Sequence, residues 1–319
     1  MKAVVMKSTG LWYDVLADDG NIYASRIRGK IRLEDIKETN PVAVGDYVEI
    51  TPTEDNDIRS EDTPQKGRAM TATITSILPR ENYIARKAVK KSGQSHIIAA
   101  NIDLALLVVS ISFPRTSLGF IDRFTVSAES FRIPQVLVFN KRDLLSEEET
   151  EWVRELMKMY GSLGIKCLFT SALADPVDEL KAILKGKKTL ITGHSGAGKS
   201  TLLNKLSDTI NQKTSEVSDF TSKGTHTTTF AEMFRIDANT FVIDTPGIKE
   251  MGMVDMEPEE VSDYFVEMRE RRLECKFGSR CLHVNEPKCA VKDAVEAGEI
   301  AITRYESYLS IIIGDDNRK

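Results

Sequence analysis

The sequence predicts a multidomain α/β protein. It should comprise an N-terminal β-barrel of the OB type, a central mainly parallel sheet with helices on both faces, and a small helical C-terminal domain. Three observations predict this. Five short β-rich runs punctuated by Gly and Asp turns fill the first 80 or so residues. Apolar strands alternate with helical segments between 102 and 252. Three of the chain's four cysteines crowd with a histidine into the span 275–289. The expected boundaries are 1–80, 81–253 and 254–319.

The barrel reading rests on runs at 3–6, 11–16, 21–28, 47–50 and 72–78, a spacing that suits a small five-stranded barrel. Arg26, Arg28, Lys30 and Arg32 alternate, which on a strand places all four on one face. Trp12, Tyr13 and Tyr23 offer stacking rings, the combination that single-stranded RNA binding needs. The alternative is a solvated sheet face with no partner. The charged stretch 54–67, punctuated by Pro52 and Pro64, reads as a loop within the barrel.

In the central region the strand at 104–109 is the clearest, followed by helices at 119–131 and 147–160. Such alternation calls for a parallel sheet. The strand at 135–139 runs into Asn140-Lys141-Arg142-Asp143. A carboxylate at Asp143 can accept from both N1–H and N2–H₂ of guanine, whereas adenine offers no such pair of donors. A site built on that pairing rejects the wrong base by roughly 10⁴-fold, because mispairing leaves buried polar groups unsatisfied. Ser171-Ala172-Leu173 follows, and Cys167 just before it reads as a buried strand residue rather than a reactive thiol.

Next comes Gly193-His194-Ser195-Gly196-Ala197-Gly198-Lys199-Ser200, between a strand at 188–192 and a helix starting near Thr201. Its glycines let backbone N–H groups turn inward around phosphates at a helix N-terminus. Lys199 should reach the β and γ phosphates, and Ser200 should ligate Mg²⁺ with a switch threonine, Thr228 or its neighbour Thr227, as second protein ligand. The switch residues Thr225-His226-Thr227-Thr228 come after, then a strand at 240–243 and Asp244-Thr245-Pro246-Gly247. Position 248 is Ile, which cannot hydrogen-bond water, so His226 is the expected group for orienting the attacking water. An ordinary GTPase opens with the phosphate loop and ends near Asn-Lys-x-Asp. Here the base-reading motif comes first, so the domain is a circularly permuted P-loop GTPase.

Cys275, Cys281, His283 and Cys289 supply three thiolates and an imidazole, a closed tetrahedral set suited to one structural zinc. The fold class is then complete, with a zinc-binding helical domain at the C-terminus. A net charge of −5 confines any nucleic-acid contact to local basic clusters: Arg26–Arg32, the linker Arg86, Lys87, Lys90 and Lys91, and Arg269, Arg271, Arg272, Lys276 and Arg280. Acidic runs at 147–149 and 257–260 read as solvated helix starts. A hydrophobic fraction of 41% argues for packed cores. No run approaches the ~18 apolar residues of a membrane span, and the charged N-terminus does not resemble a signal peptide. Four cysteines are too few for a disulfide scaffold.

Over nearly its full length the chain resembles the ribosome small-subunit-dependent GTPase A family. The resemblance is carried by Ile98-Ala99-Ala100-Asn101-Ile102-Asp103, Gly119-Phe120-Ile121-Asp122-Arg123-Phe124, the permuted motif order, the His226–Thr229 switch and the Cys-Cys-His-Cys cluster. It implies GTP hydrolysis coupled to release from the small ribosomal subunit late in assembly, with His226 catalytic. The implied partners are GTP or GDP with Mg²⁺ and the small subunit with its rRNA. A cytoplasmic monomer is expected, with no DNA or membrane partner. A GTP-switched module acting on free RNA is the alternative. Thr225 stands where the family commonly has Arg. Gly196 stands where some related GTPases carry an Asn that holds potassium, so no such ion is expected.

Overall fold

The computed structural model describes residues 1–27, 41–53, 70–87, 95–207, 231–244 and 256–314. The chain divides into two compact units. One comprises Met1–Leu104, Val177–Thr192 and Leu202–Ile248, the other Ala105–Pro176, Gly193–Thr201 and Lys249–Lys319.

The first unit opens with β1 (Lys2–Ser8), β2 (Tyr13–Ala17), β3 (Ile22–Ile27), β4 (Tyr47–Thr53) and β5 (Met70–Ile77). β1–β2 and β2–β3 pair antiparallel, β3 pairs parallel with β5, and β5 pairs antiparallel with β4. The antiparallel pairing of β4 with β1 closes the barrel and removes its free edges. Alternation turns Val5, Tyr13, Val15, Tyr23, Val48, Ile50 and Ile74 into one core.

That alternation corrects one expectation. Trp12, Tyr13 and Tyr23 are buried and offer no open stacking surface. Tyr13 and Tyr23 share the inward face, Tyr23 donates its hydroxyl to Asp19 at 2.8 Å, and the Arg26 guanidinium lies 3.8 Å above the Trp12 ring. Arg28, Lys30 and Arg32 lie outside the described residues, as do Lys90 and Lys91.

The span read as a basic linker instead begins inside a hairpin of β6 (Tyr83–Lys87) and β7 (Ser95–Ala100). The stretch just before it is fixed to the barrel by a buried pair. Arg80 donates from Nε and Nη2 to Asp46 at 2.7 Å each, and Asp46 also accepts from the Ala43 backbone at 2.8 Å.

In the second unit, β8 (Leu104–Ser110), β9 (Gln135–Asn140) and β10 (Lys166–Phe169) form a parallel sheet with β9 central. Every residue of β8 is buried, as a strand covered on both faces requires. Between the strands run α1 (Leu118–Ser130), capped by Ser117, and α2 (Glu147–Ser162). In α2, Ser146 and Glu149 form a reciprocal capping box, so the acidic run 147–149 is a helix start. Cys167 is half-buried in β10, and burial pushes its thiol up to about 12, so it is not a reactive thiolate.

The first unit resumes with α3 (Asp178–Leu184) and β11 (Lys188–Thr192). β11 pairs parallel with β13 (Phe241–Asp244), which pairs antiparallel with β12 (Glu232–Arg235). β12, absent from the sequence reading, also meets barrel strand β1, where Lys7 opposes Glu232 with an ion pair of 3.0 Å. Lys188 is only 8% exposed, and its ammonium donates to the Tyr47 hydroxyl of β4 at 2.9 Å. The helix α4 (Lys199–Leu206) follows the phosphate loop.

The C-terminal segment of the second unit carries α5 (Pro258–Val261), α6 (Val266–Arg271), α7 (Ala290–Glu296) and α8 (Ile302–Ile313). Glu257 caps α5, with Pro258 at its first position, which accounts for the second acidic run. Within α8, Arg304 is buried and holds Asp122 of α1 and Glu267 of α6, each at 2.7 Å. Tyr160 of α2 donates to the same Asp122 oxygen at 2.8 Å. Burial works against the Arg304 charge, but Asp122 and Glu267 outweigh it and raise its pKa.

Candidate functional site

β9 ends at a buried Asn140 that braces two neighbouring loops. Its amide Nδ2 donates to the Ala197 carbonyl of the phosphate loop, and its Oδ1 accepts from the Ala172 backbone, each at 2.8 Å. Three of the motifs read from sequence are therefore joined through one side chain. A Cβ on Gly198, whose φ is +100°, would collide with the Asn140 amide, so that glycine is required both by conformation and by space.

Lys141 adopts a left-handed conformation, φ 68°, and its ammonium donates to the Phe113 carbonyl. Arg142 and Asp143 begin a 3₁₀ turn, and Asp143 is exposed. Asp175, which the sequence reading did not single out, fixes this loop. It accepts from the Ser171 backbone at 2.7 Å and pairs with Arg142 at 2.6 Å. Those contacts, the Ser171 bond first, hold its carboxyl below the ordinary range. Its only sequence signal was its place four residues after Ser171.

The phosphate loop carries positive φ at Gly193, Gly196 and Gly198. The Lys199 ammonium donates to the Gly193 and His194 carbonyls at 2.6 and 2.9 Å, so its charge sits within the loop. The His194 ring lies 4.2 Å from that of Phe120. Ser195 and Ser200 are exposed, Thr201 is half-buried and Ala197 is buried. Positive-φ glycines leading into a helix N-terminus, with a lysine at its first position, suit a polyphosphate. Asp244 ends β13. His226, Thr225, Thr227, Thr228, Gly247 and Ile248 lie outside the described residues.

Cys275, Cys281, His283 and Cys289 are all buried, with ligand atoms within 4.8 Å of one another. His283 Nδ1 is 3.3 Å from Cys289 Sγ and 3.6 Å from Cys275 Sγ, and those two sulfurs are 3.9 Å apart. A tetrahedron with zinc–sulfur bonds of about 2.3 Å and a zinc–nitrogen bond of about 2.0 Å has edges of roughly 3.5–3.8 Å. The cluster fits a single zinc.

Burial pushes the Cys281 thiol up to about 12, raises Cys289 and lowers His283 to about 4. A divalent cation reverses that penalty for the thiols. The ligand loop is held by Glu286, which accepts from the Leu282, Val284 and Asn285 amides. Tyr305 and Tyr308 donate to the His283 and Leu282 carbonyls at 2.6 and 2.8 Å.

Much of the C-terminal basic cluster is paired. Arg269 meets Glu129, Arg271 meets Glu299, and Arg272 meets Asp263, while Lys276 and Arg280 are exposed. No helix among the described residues is long and apolar enough to cross a membrane.

Two family models match the chain, the RsgA N-terminal domain over 2–57 and the RsgA GTPase over 77–254. A small ribosomal subunit biogenesis GTPase RsgA from Christiangramia forsetii is 49% identical, across 99% of this chain and 97% of that protein. The protein of the same name from Phocaeicola vulgatus is 47% identical, across 98% and 96%. Among solved structures, YjeQ from Thermotoga maritima is similar with a TM-score of 0.73 at 34% identity, covering 100% of this chain and 99% of that one. YloQ, described as a circularly permuted GTPase, gives 0.70 at 28% identity, covering 100% and 96%. The permuted order read from the motifs thus has its counterpart in solved structures.

Proposed function

This chain belongs to the RsgA family of GTPases, and we propose that it hydrolyses GTP while bound to the small ribosomal subunit during that subunit's biogenesis. One observation carries the proposal: a full-length match to small-subunit biogenesis GTPases coincides with a base-reading loop already braced to the phosphate loop through Asn140. That arrangement and the motifs support the residue roles assigned in this reading. Asp143 accepts from guanine, with Asn140 and Ala172 holding the base-side loops. Lys199 and the amides of 193–198 hold the phosphates. Ser200 and Thr228 would ligate Mg²⁺, and Asp244 and Gly247 belong to the motif that serves the metal and the γ-phosphate. Bound magnesium supplies charge neutralisation at the phosphates.

His226 orients the attacking water. Zinc held by Cys275, Cys281, His283 and Cys289 supplies folding energy, since four protein ligands leave no open position. In this reading the domains are taken as 1–80, 81–253 and 254–319, and the protein acts as a cytoplasmic monomer on rRNA rather than DNA or membrane. Turnover of GTP with purified small subunits, large subunits or neither tests this reading. Small subunits alone should accelerate hydrolysis, and His226→Ala should lower the accelerated rate about 10²-fold. Acceleration by free RNA but not by subunits would favour the alternative of a free-RNA module.

A further inference from the structure

Phe113 is the most exposed aromatic side chain among the described residues, at 77%. Its backbone, by contrast, is tightly held. The Phe113 carbonyl accepts from the Lys141 ammonium and from the Ser110 hydroxyl, the latter at 3.3 Å. The next residue, Pro114, packs on the phosphate loop, its Cδ 3.3 Å from where a Cβ on Gly196 would stand. Thr116 closes the turn back onto β8, its amide donating to the Ser110 carbonyl at 2.7 Å and its hydroxyl accepting from the Ser110 amide at 3.2 Å. The 110–116 loop is therefore built against both the base-reading lysine and the phosphate loop. It leaves one large ring, that of Phe113, uncovered.

An exposed ring on a fixed backbone loses little entropy on being covered, and it offers an apolar face where a purine or ribose needs one. The Lys141 stem runs from the base-reading loop to the Phe113 carbonyl, so a base lying along that stem ends beside residue 113. We infer that Phe113 is a nucleotide-positioning residue whose ring covers the guanine-ribose end of the bound nucleotide, with Lys141 and Phe113 forming one continuous wall. The inference rests on the guanine-binding assignment of the preceding section and adds a contact outside every motif read from the sequence.

The ring makes no contribution to phosphate binding, so its removal acts equally on nucleoside and nucleotide. Binding of GDP and of guanosine to the full chain is measured by calorimetry for the unmodified protein, Phe113→Ala and Phe113→Tyr. Phe113→Ala should weaken both ligands by the same factor, about five- to tenfold, the scale of one aromatic contact. Phe113→Tyr should restore both to within about twofold of the unmodified protein. Because the side chain is exposed, the melting temperature should not move.

Phe113→Trp supplies an independent reading, since the emission of the introduced indole should shift to shorter wavelength with GDP and not with ATP. Unchanged affinities in Phe113→Ala, or weakened GDP with unchanged guanosine, would overturn the inference, as would an indole emission in Phe113→Trp that is indifferent to GDP. Equal binding of ATP and GDP by the unmodified protein would instead remove the guanine assignment itself.

Discussion

Replacing Asn140 with Ala removes the side chain that joins three segments of the nucleotide site, so it should cripple nucleotide binding. Asn140 satisfies the Ala172 amide and the Ala197 carbonyl, each at 2.8 Å, and both belong to buried residues. Each backbone group left unsatisfied costs about 1–3 kcal/mol, so together they cost roughly 2–6 kcal/mol. The loops can escape that cost by opening to water, which lowers the fraction of molecules with an ordered site. Apparent affinity falls by that same fraction, so a cost of about 3 kcal/mol becomes a loss of roughly 10²-fold for GDP.

Gly198→Ala should give a similar loss by a separate route, because its Cβ meets the Asn140 amide and its φ is +100°. The double variant should lose less than the sum, since each change destroys the same brace. Calorimetric titration with GDP, alongside thermal melting to confirm folding, measures all three. A folded Asn140→Ala that binds GDP within about threefold of the unmodified protein would show that the brace does not order the site.

Three further outcomes follow from the same geometry. Asp143→Asn should weaken GDP and favour xanthosine diphosphate, whose C2 carbonyl needs a donor, and competition binding reads the switch; unchanged preference for guanine would remove Asp143 from base reading. Elemental analysis of protein purified without chelator should find one zinc per chain. Cys281→Ala should lose that zinc and the protease resistance of the C-terminal segment while sparing GDP binding. Arg304→Met strands Asp122 and Glu267 beside α8, so it should cost about 3–5 kcal/mol in urea unfolding, more than Asp122→Asn, which still accepts from Tyr160. Equal stability of Arg304→Met and the unmodified protein would make that network incidental.

What the sequence made legible was mostly what local chemistry requires. The phosphate loop needs glycines at fixed positions before a helix, and those glycines do adopt positive φ. The five barrel strands and the Cys-His cluster likewise carry their signals in short spans. Where the reading failed, partners distant in the chain decided. Trp12 looked like a stacking ring because nothing nearby in the sequence says that Arg26 lies over it. Tyr13 was legible in hindsight, since it shares a period of two with Val15 and Ala17.

β12 has only four residues; β13 pairs with it across a short turn, but its other neighbour, β1, lies far away in the chain. The basic cluster at 269–280 read as an open patch because Glu129 and Glu299, which pair with Arg269 and Arg271, lie well outside it. The Asn140 brace was hidden for the same reason. The motif's Asn announces a nucleotide site, but only the fold reveals that its side chain also ties Ala172 to Ala197.

The most direct test of the central claim is co-sedimentation of the full chain with purified small ribosomal subunits, with either a non-hydrolysable GTP analogue or GDP. Loss of the γ-phosphate typically releases the switch segments of a GTPase, so the two nucleotides should report two affinities for the subunit. By linkage, a subunit that prefers the triphosphate form must tighten triphosphate binding by the same factor. The chain should pellet with small subunits in the analogue and stay largely in the supernatant with GDP. Equal pelleting in the two nucleotides, or no pelleting in either, would contradict it.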